Sequence, residues 1–90
     1  MTMKLKYQLI TEPGALGEIA SVRIYDEDDK LLGIVHANTT YGGTLEVIDF
    51  DRYSDYLGLL VKTAKILKSA KATDIDAVKA ALDGAGIQYT

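Results

Sequence analysis

Residues 18–37 read Glu-Ile-Ala-Ser-Val-Arg-Ile-Tyr-Asp-Glu-Asp-Asp-Lys-Leu-Leu-Gly-Ile-Val-His-Ala. Up to residue 25 the side chains alternate. Ala20, Val22 and Ile24 fall on one face, and Ile19, Ser21, Arg23 and Tyr25 on the other. A period of two is that of a strand with one buried face. The run Asp26-Glu27-Asp28-Asp29-Lys30 then breaks the pattern with a charged hairpin loop. Residues 31–37 resume it and are apolar on both faces, as a central strand is.

Two further strands flank this hairpin. Residues 4–11 put Leu5, Tyr7 and Leu9 opposite Lys4, Lys6 and Gln8, and Pro13, Gly14 and Gly17 are expected to break that strand. Gly42-Gly43 relaxes the third connection. Residues 44–50 then set Leu45 and Val47 opposite Glu46 and Ile48. Short connections favour an antiparallel meander.

Beyond residue 50 the period becomes helical. Tyr53, Tyr56, Leu57, Leu60, Val61, Ala64 and Leu67 recur at steps of three and four. Asp51 is the expected N-cap. Asp55 suits the positive helix end, and Lys65 and Lys68 the negative end. A second helix is expected from Thr73, with Asp76 completing a capping box and Ile75, Val78 and Leu82 buried. Gly84 or Gly86 closes it in a left-handed cap. Residues 87–90 form an extended tail able to add an edge strand. The expected fold is therefore α+β, with a four-stranded antiparallel meander and two C-terminal helices on one face (β-β-β-β-α-α). Residues 1–90 make one domain.

Composition narrows the function. Hydrophobic residues make up 48% and charged residues 26% of the 90, which is ordinary for a globular chain. Cysteine is absent, so there is no disulfide framework, thiolate nucleophile or cysteine zinc site. No signal peptide is visible, and no apolar run approaches the ~20 residues of a membrane span. These features fit a cytoplasmic protein. Asn38-Thr39-Thr40 matches a glycosylation sequon and is read as a polar loop.

Neither acidic cluster has calcium-loop spacing. Counted from Asp26, the sixth and twelfth places hold Leu31 and Ala37, and counted from Asp49 they hold Ser54 and Leu60. His36 lacks the motif of a nucleophile beside it and reads as structural. No catalytic residue, cofactor or metal is expected.

Charge is divided along the chain. Residues 12–55 hold ten acids against Arg23, Lys30 and Arg52, while the remainder holds seven lysines against Asp74, Asp76 and Asp83. Lys62, Lys65, Lys68 and Lys71 spread as a curved band around the first helix. The band has no arginine or interleaved aromatic, and the domain is acidic overall, so direct nucleic-acid binding is the lesser reading. If the helices cover the Ala20, Val22 and Ile24 face, Tyr25 stands on the open one. Tyrosine there, beside Asp26, Glu27, Asp28 and Asp29, suits docking to a basic protein surface.

The order of elements resembles a small phage-encoded family of type I-F anti-CRISPR inhibitors. Met3-Lys4-Leu5-Lys6-Tyr7 resembles the family's first strand, and Val22-Arg23-Ile24-Tyr25-Asp26 its second. Asp49-Phe50-Asp51 resembles its step into the first helix. The loops 12–17 and 38–43 differ. The resemblance implies a non-enzymatic inhibitor in the cytoplasm of a bacterial host. It would bind the backbone subunits of an RNA-guided surveillance complex and block target DNA. Tyr7 and Tyr25 match the family's contact tyrosines. An acid of the family's third strand has no counterpart in Val35-His36-Ala37-Asn38. The alternatives are a homo-oligomeric accessory protein that pairs through the same face, and a nucleic-acid module using the lysine band. A monomer and a homodimer are both compatible with the sequence.

Overall fold

A computed structural model describes residues 5–14, 17–38, 42–51, 53–72 and 74–90. Four strands, β1 (Lys6–Gly14), β2 (Gly17–Tyr25), β3 (Leu31–Asn38) and β4 (Gly42–Val47), precede helices α1 (Tyr53–Ser69) and α2 (Ile75–Gly84). The sheet is an antiparallel meander in the order β1-β2-β3-β4. This is the α+β arrangement that the alternation and the later helical period predict. Residues 1–4 and the loop residues 39–41, Thr39-Thr40 of the sequon included, lie outside the described residues.

Both helices cover the aliphatic face. Val22, Ile24 and Val35 of the sheet are buried together with Leu60, Leu67, Val78 and Leu82 of the helices. α1 lies chiefly on β4 and β3, and α2 reaches β2 and α1. The buried row of α1 is Tyr56, Leu60, Thr63 and Leu67, while Leu57 and Val61 are only half-buried. The helix is thus rotated relative to the expected stripe. Thr63 is tolerated inside because its hydroxyl donates to the Leu59 carbonyl at 2.9 Å.

Strand limits differ from expectation at two places. β1 runs through Pro13 to Gly14 instead of breaking there. β1 is an edge strand, and the amide of Leu9 and carbonyl of Tyr7 point away from β2 to meet Thr90. Pro13 has the same parity, so its missing N–H falls on the outer side, where no strand needs it. β4 begins at Gly42 and stops at Val47, not Phe50. The Leu32 carbonyl accepts both the Ile48 and Asp49 amides, at 2.9 and 3.2 Å, and regular pairing ends there. Leu32 is itself extra to the β2–β3 register, since Ile24 faces Gly33 and Tyr25 faces Leu31. The bulge re-aims Leu32 into the core despite its parity with Ile34 and His36.

Helix ends are specified by local chemistry. The cap of α2 is Asp74, one residue after the expected Thr73, which lies outside the described residues. Its carboxylate accepts the Ala77 amide at 2.8 Å. The cap expected at Asp51 involves residue 52, also outside them. Gly86, with φ 74°, closes α2, as the Ile87 amide donates back to Leu82 and that of Gly86 to Asp83.

α1 ends in the same motif, with Ala72 donating to Leu67 and Lys71 to Lys68, but the left-handed position is Lys71 at φ 51°. A side chain is strained in that region. Lys71→Gly is therefore expected to stabilise the fold by about 0.5–1 kcal/mol. A higher urea midpoint for this variant, absent for Lys71→Ala, checks it.

Candidate protein-docking face

The face of the sheet away from the helices carries Lys6, Gln8 and Ile10 from β1, and Ser21, Arg23 and Tyr25 from β2. Leu31, Ile34 and His36 from β3 and Thr44 and Glu46 from β4 complete it, as strand register and alternation require. Tyr25 stands on this face as expected. Its hydroxyl donates to the Gln8 side-chain oxygen at 2.9 Å, which fixes the ring across two strands. The side chain of Ile19, expected near it, lies outside the described residues. His36 is held by Glu46, with Nε2 2.9 Å from Oε1, so its neighbour is a cross-strand carboxylate and not a nucleophile.

Tyr7 is not on this face. It pairs directly with Ile24, and opposed residues of antiparallel strands share a side. Tyr7 therefore packs with Leu5 and Leu9 against the core. Its backbone is also engaged: Tyr7 bridges Tyr89 in parallel, and the Thr90 amide donates to the Tyr7 carbonyl at 3.0 Å. The tail thus makes one isolated parallel bridge to β1 and not the edge strand expected of it. Tyr7 and Tyr25 both border the groove where tail, β1 and hairpin meet, yet they approach it from opposite faces.

The hairpin tip divides its four acids between two roles. Asp26 is 1% exposed, and its Oδ1 accepts the amides of Asp28 and Lys30 at 2.8 and 2.9 Å. It builds the loop and presents nothing to a partner, which corrects its place among the contact residues. Glu27, Asp28 and Asp29 are exposed. Asp29 is left-handed, φ 62°, at the bulge position that follows the turn, a conformation aspartate tolerates. Its carboxylate meets Lys6 Nζ at 2.7 Å. That hydrogen bond and charge hold the Lys6 ammonium above its ordinary 10.5. The pair favours folding below that value and is lost as pH rises past the raised one. Both groups are exposed and salt screens them.

Sequence reasoning missed one prominent residue. Alternation makes Phe50 the end of a strand, whereas it lies beyond β4 and is 76% exposed beside Ile48 at 41%. Lys62, Lys65, Lys68 and Lys71 are exposed as expected, and half-buried Leu57, Val61 and Ile66 lie beside the first two. No helix among the described residues is long and apolar enough to cross a membrane, and none of their acids and histidines gather into a group able to hold a metal ion. Compared with known protein families, curated proteins and solved structures, the chain matches none.

Proposed function

We propose that this chain is a non-enzymatic protein-binding inhibitor of the anti-CRISPR type, acting in the bacterial cytoplasm. It occupies a basic protein surface, such as the backbone subunits of an RNA-guided surveillance complex, and so denies target DNA its place. One observation carries this reading. A sheet face with no helix over it ends in a fixed tyrosine, Tyr25, next to three exposed acids, Glu27, Asp28 and Asp29. A rigid aromatic supplies contact area at little entropic cost, and like-signed charge beside it speeds encounter with a cationic partner. The order of elements and the short landmarks at residues 22–26 and 49–51 supply the anti-CRISPR form of the proposal.

The test is inhibition of target-DNA binding by a purified type I-F surveillance complex, followed by gel shift. Wild type is expected to abolish the shifted DNA band. Tyr25→Ala combined with Glu27→Lys and Asp28→Lys is expected to weaken inhibition at least tenfold with an unchanged melting curve. A wild type that leaves the band intact removes the anti-CRISPR reading. A triple variant as potent as wild type removes this face from the contact.

A further inference from the structure

Among the described residues, the large hydrophobic side chains standing open to solvent are Ile48 and Phe50. They are not scattered. Leu31 joins them in one shallow depression, with Lys30, Asp49 and Asp51 as its polar border. Leu31 is directly opposite Tyr25 across the β2–β3 pair. Ile48 follows directly on the end of β4, its amide bonded to the Leu32 carbonyl at 2.9 Å. An apolar row thus crosses the end of the open face from Tyr25 through Leu31 and Ile48 to Phe50. Isolated exposed hydrophobics are normal on any protein, whereas a contiguous patch with a polar border marks an interaction surface.

Local chemistry holds Phe50 outward. The Leu32 carbonyl takes the two amides before it, and the Asp49 carboxylate accepts the Asp51 amide at 3.1 Å beyond it. The segment is tied down on both sides of an aromatic ring that finds no cover.

Charge decides what covers it. The segments that border the depression, residues 26–30 and 48–51, hold six acids against Lys30. Without the buried Asp26, and with Lys6 counted beside its partner Asp29, five acids stand against two bases and the balance remains acidic. We propose that the row Tyr25–Leu31–Ile48–Phe50 docks a protein segment bearing lysine or arginine around an apolar residue, with Phe50 as the anchor. This rests on the reading of the open face as a protein-binding surface and adds to it the end of that surface and the side chain that dominates it. An acidic rim repels phosphate backbones and anionic lipid surfaces. A second copy meeting the patch symmetrically would set acid against acid, and one offering its lysine helix would make a head-to-tail contact that builds a ring or a filament, which light scattering detects.

The experiment pans a phage-displayed library of random dodecapeptides against immobilised wild type, with Phe50→Ala as the counter-selecting bait. Phe50 is largely exposed and stands outside the core cluster, so the variant is expected to keep its fold, which an unchanged circular dichroism melt verifies. The expected result is enrichment of peptides carrying lysine or arginine beside an apolar residue. They should bind wild type at least tenfold more tightly than Phe50→Ala, and wild type should also exceed Tyr25→Ala. Peptides that lose affinity with Tyr25→Ala but bind Phe50→Ala unchanged overturn the anchor and leave the open-face reading standing. Enriched peptides indifferent to both variants, or no enrichment, overturn both. Light scattering showing self-association that Phe50→Ala abolishes makes a second copy the occupant and overturns the proposed partner.

Discussion

Leu60→Ala is expected to lower the stability of the domain by about 3–4 kcal/mol, the range for a fully buried leucine whose site cannot collapse. Leu60 is wholly buried at the centre of the row by which α1 meets the sheet. One position of the strand beneath it, Gly33, has no side chain to offer in return. At Gly33 a Cβ would stand 3.6 Å from the Leu60 Cδ1 and only 3.0 Å from the Glu46 carbonyl oxygen. The glycine lets the helix side chain settle close to the β3–β4 pair, and the leucine fills the space above it. Truncating Leu60 leaves a void that backbone atoms cannot enter. A domain of this size has a total stability on the order of 5–10 kcal/mol, so the loss is a large share of it. The melting temperature should fall by roughly 12–25 °C. Urea denaturation followed by circular dichroism checks this, and a fall of under 1 kcal/mol would mean that α1 does not pack as described. Gly33→Ala should not rescue the variant, because its conflict is with backbone.

The two halves of the fold differ in how legible they were. β2 and β3 announce themselves, since alternation on both sides of a five-residue charged run allows little but a hairpin. The helices were equally plain as elements, but the rotation of α1 was not. Leu57, Val61 and Ala64 make as good an apolar stripe as Leu60 and Leu67, and Thr63 looks polar until its hydroxyl is bonded to Leu59. Which stripe turns inward is settled by the sheet, whose surface a helix pattern does not contain.

The site was legible by strand parity and illegible wherever parity fails. Tyr25 was placed correctly because one strand suffices to separate it from Val22 and Ile24. The resemblance names Tyr7 beside Tyr25 as a contact residue, although Leu5 and Leu9 on its own side of β1 already mark it as facing the core. Phe50 was lost because strand alternation was carried three residues past the point where the Leu32 carbonyl ends it. A bulge is one residue of surplus chain, and nothing in Leu31-Leu32-Gly33 distinguishes it from an ordinary strand start. The surface proposed here is wider than Tyr25 and the tip acids, and it is displaced toward β4.

Asp26→Ala is expected to cost about 2–4 kcal/mol, although the residue lies in an acidic surface loop where removing a negative charge would ordinarily be neutral or favourable. The difference lies in burial and partners. A carboxylate oxygen that accepts two amides makes charge-assisted bonds, and hydrogen bonds to charged groups contribute about 1.5–3 kcal/mol each. The Asp28 and Lys30 amides lie at an exposed tip, so water recovers part of the loss when the carboxylate goes. The backbone frame of the turn survives in the Asp29-to-Asp26 and Asp26-to-Lys30 amide bonds, which keeps the effect below complete unfolding. Asp26→Asn retains an acceptor oxygen of the same shape and should cost only about 1 kcal/mol. Thermal melts of the two variants separate an acceptor role from a charge role. Equal losses would show that the charge itself is what the loop requires, and no loss in either would show that the turn closes without the side chain. The result also governs how binding data are read. Asp26→Ala would unsettle the loop that presents Glu27, Asp28 and Asp29 and would pass for a contact mutation. Glu27→Lys and Asp28→Lys leave the carboxylate that builds the turn in place, so a loss of affinity in those variants reports on the surface itself.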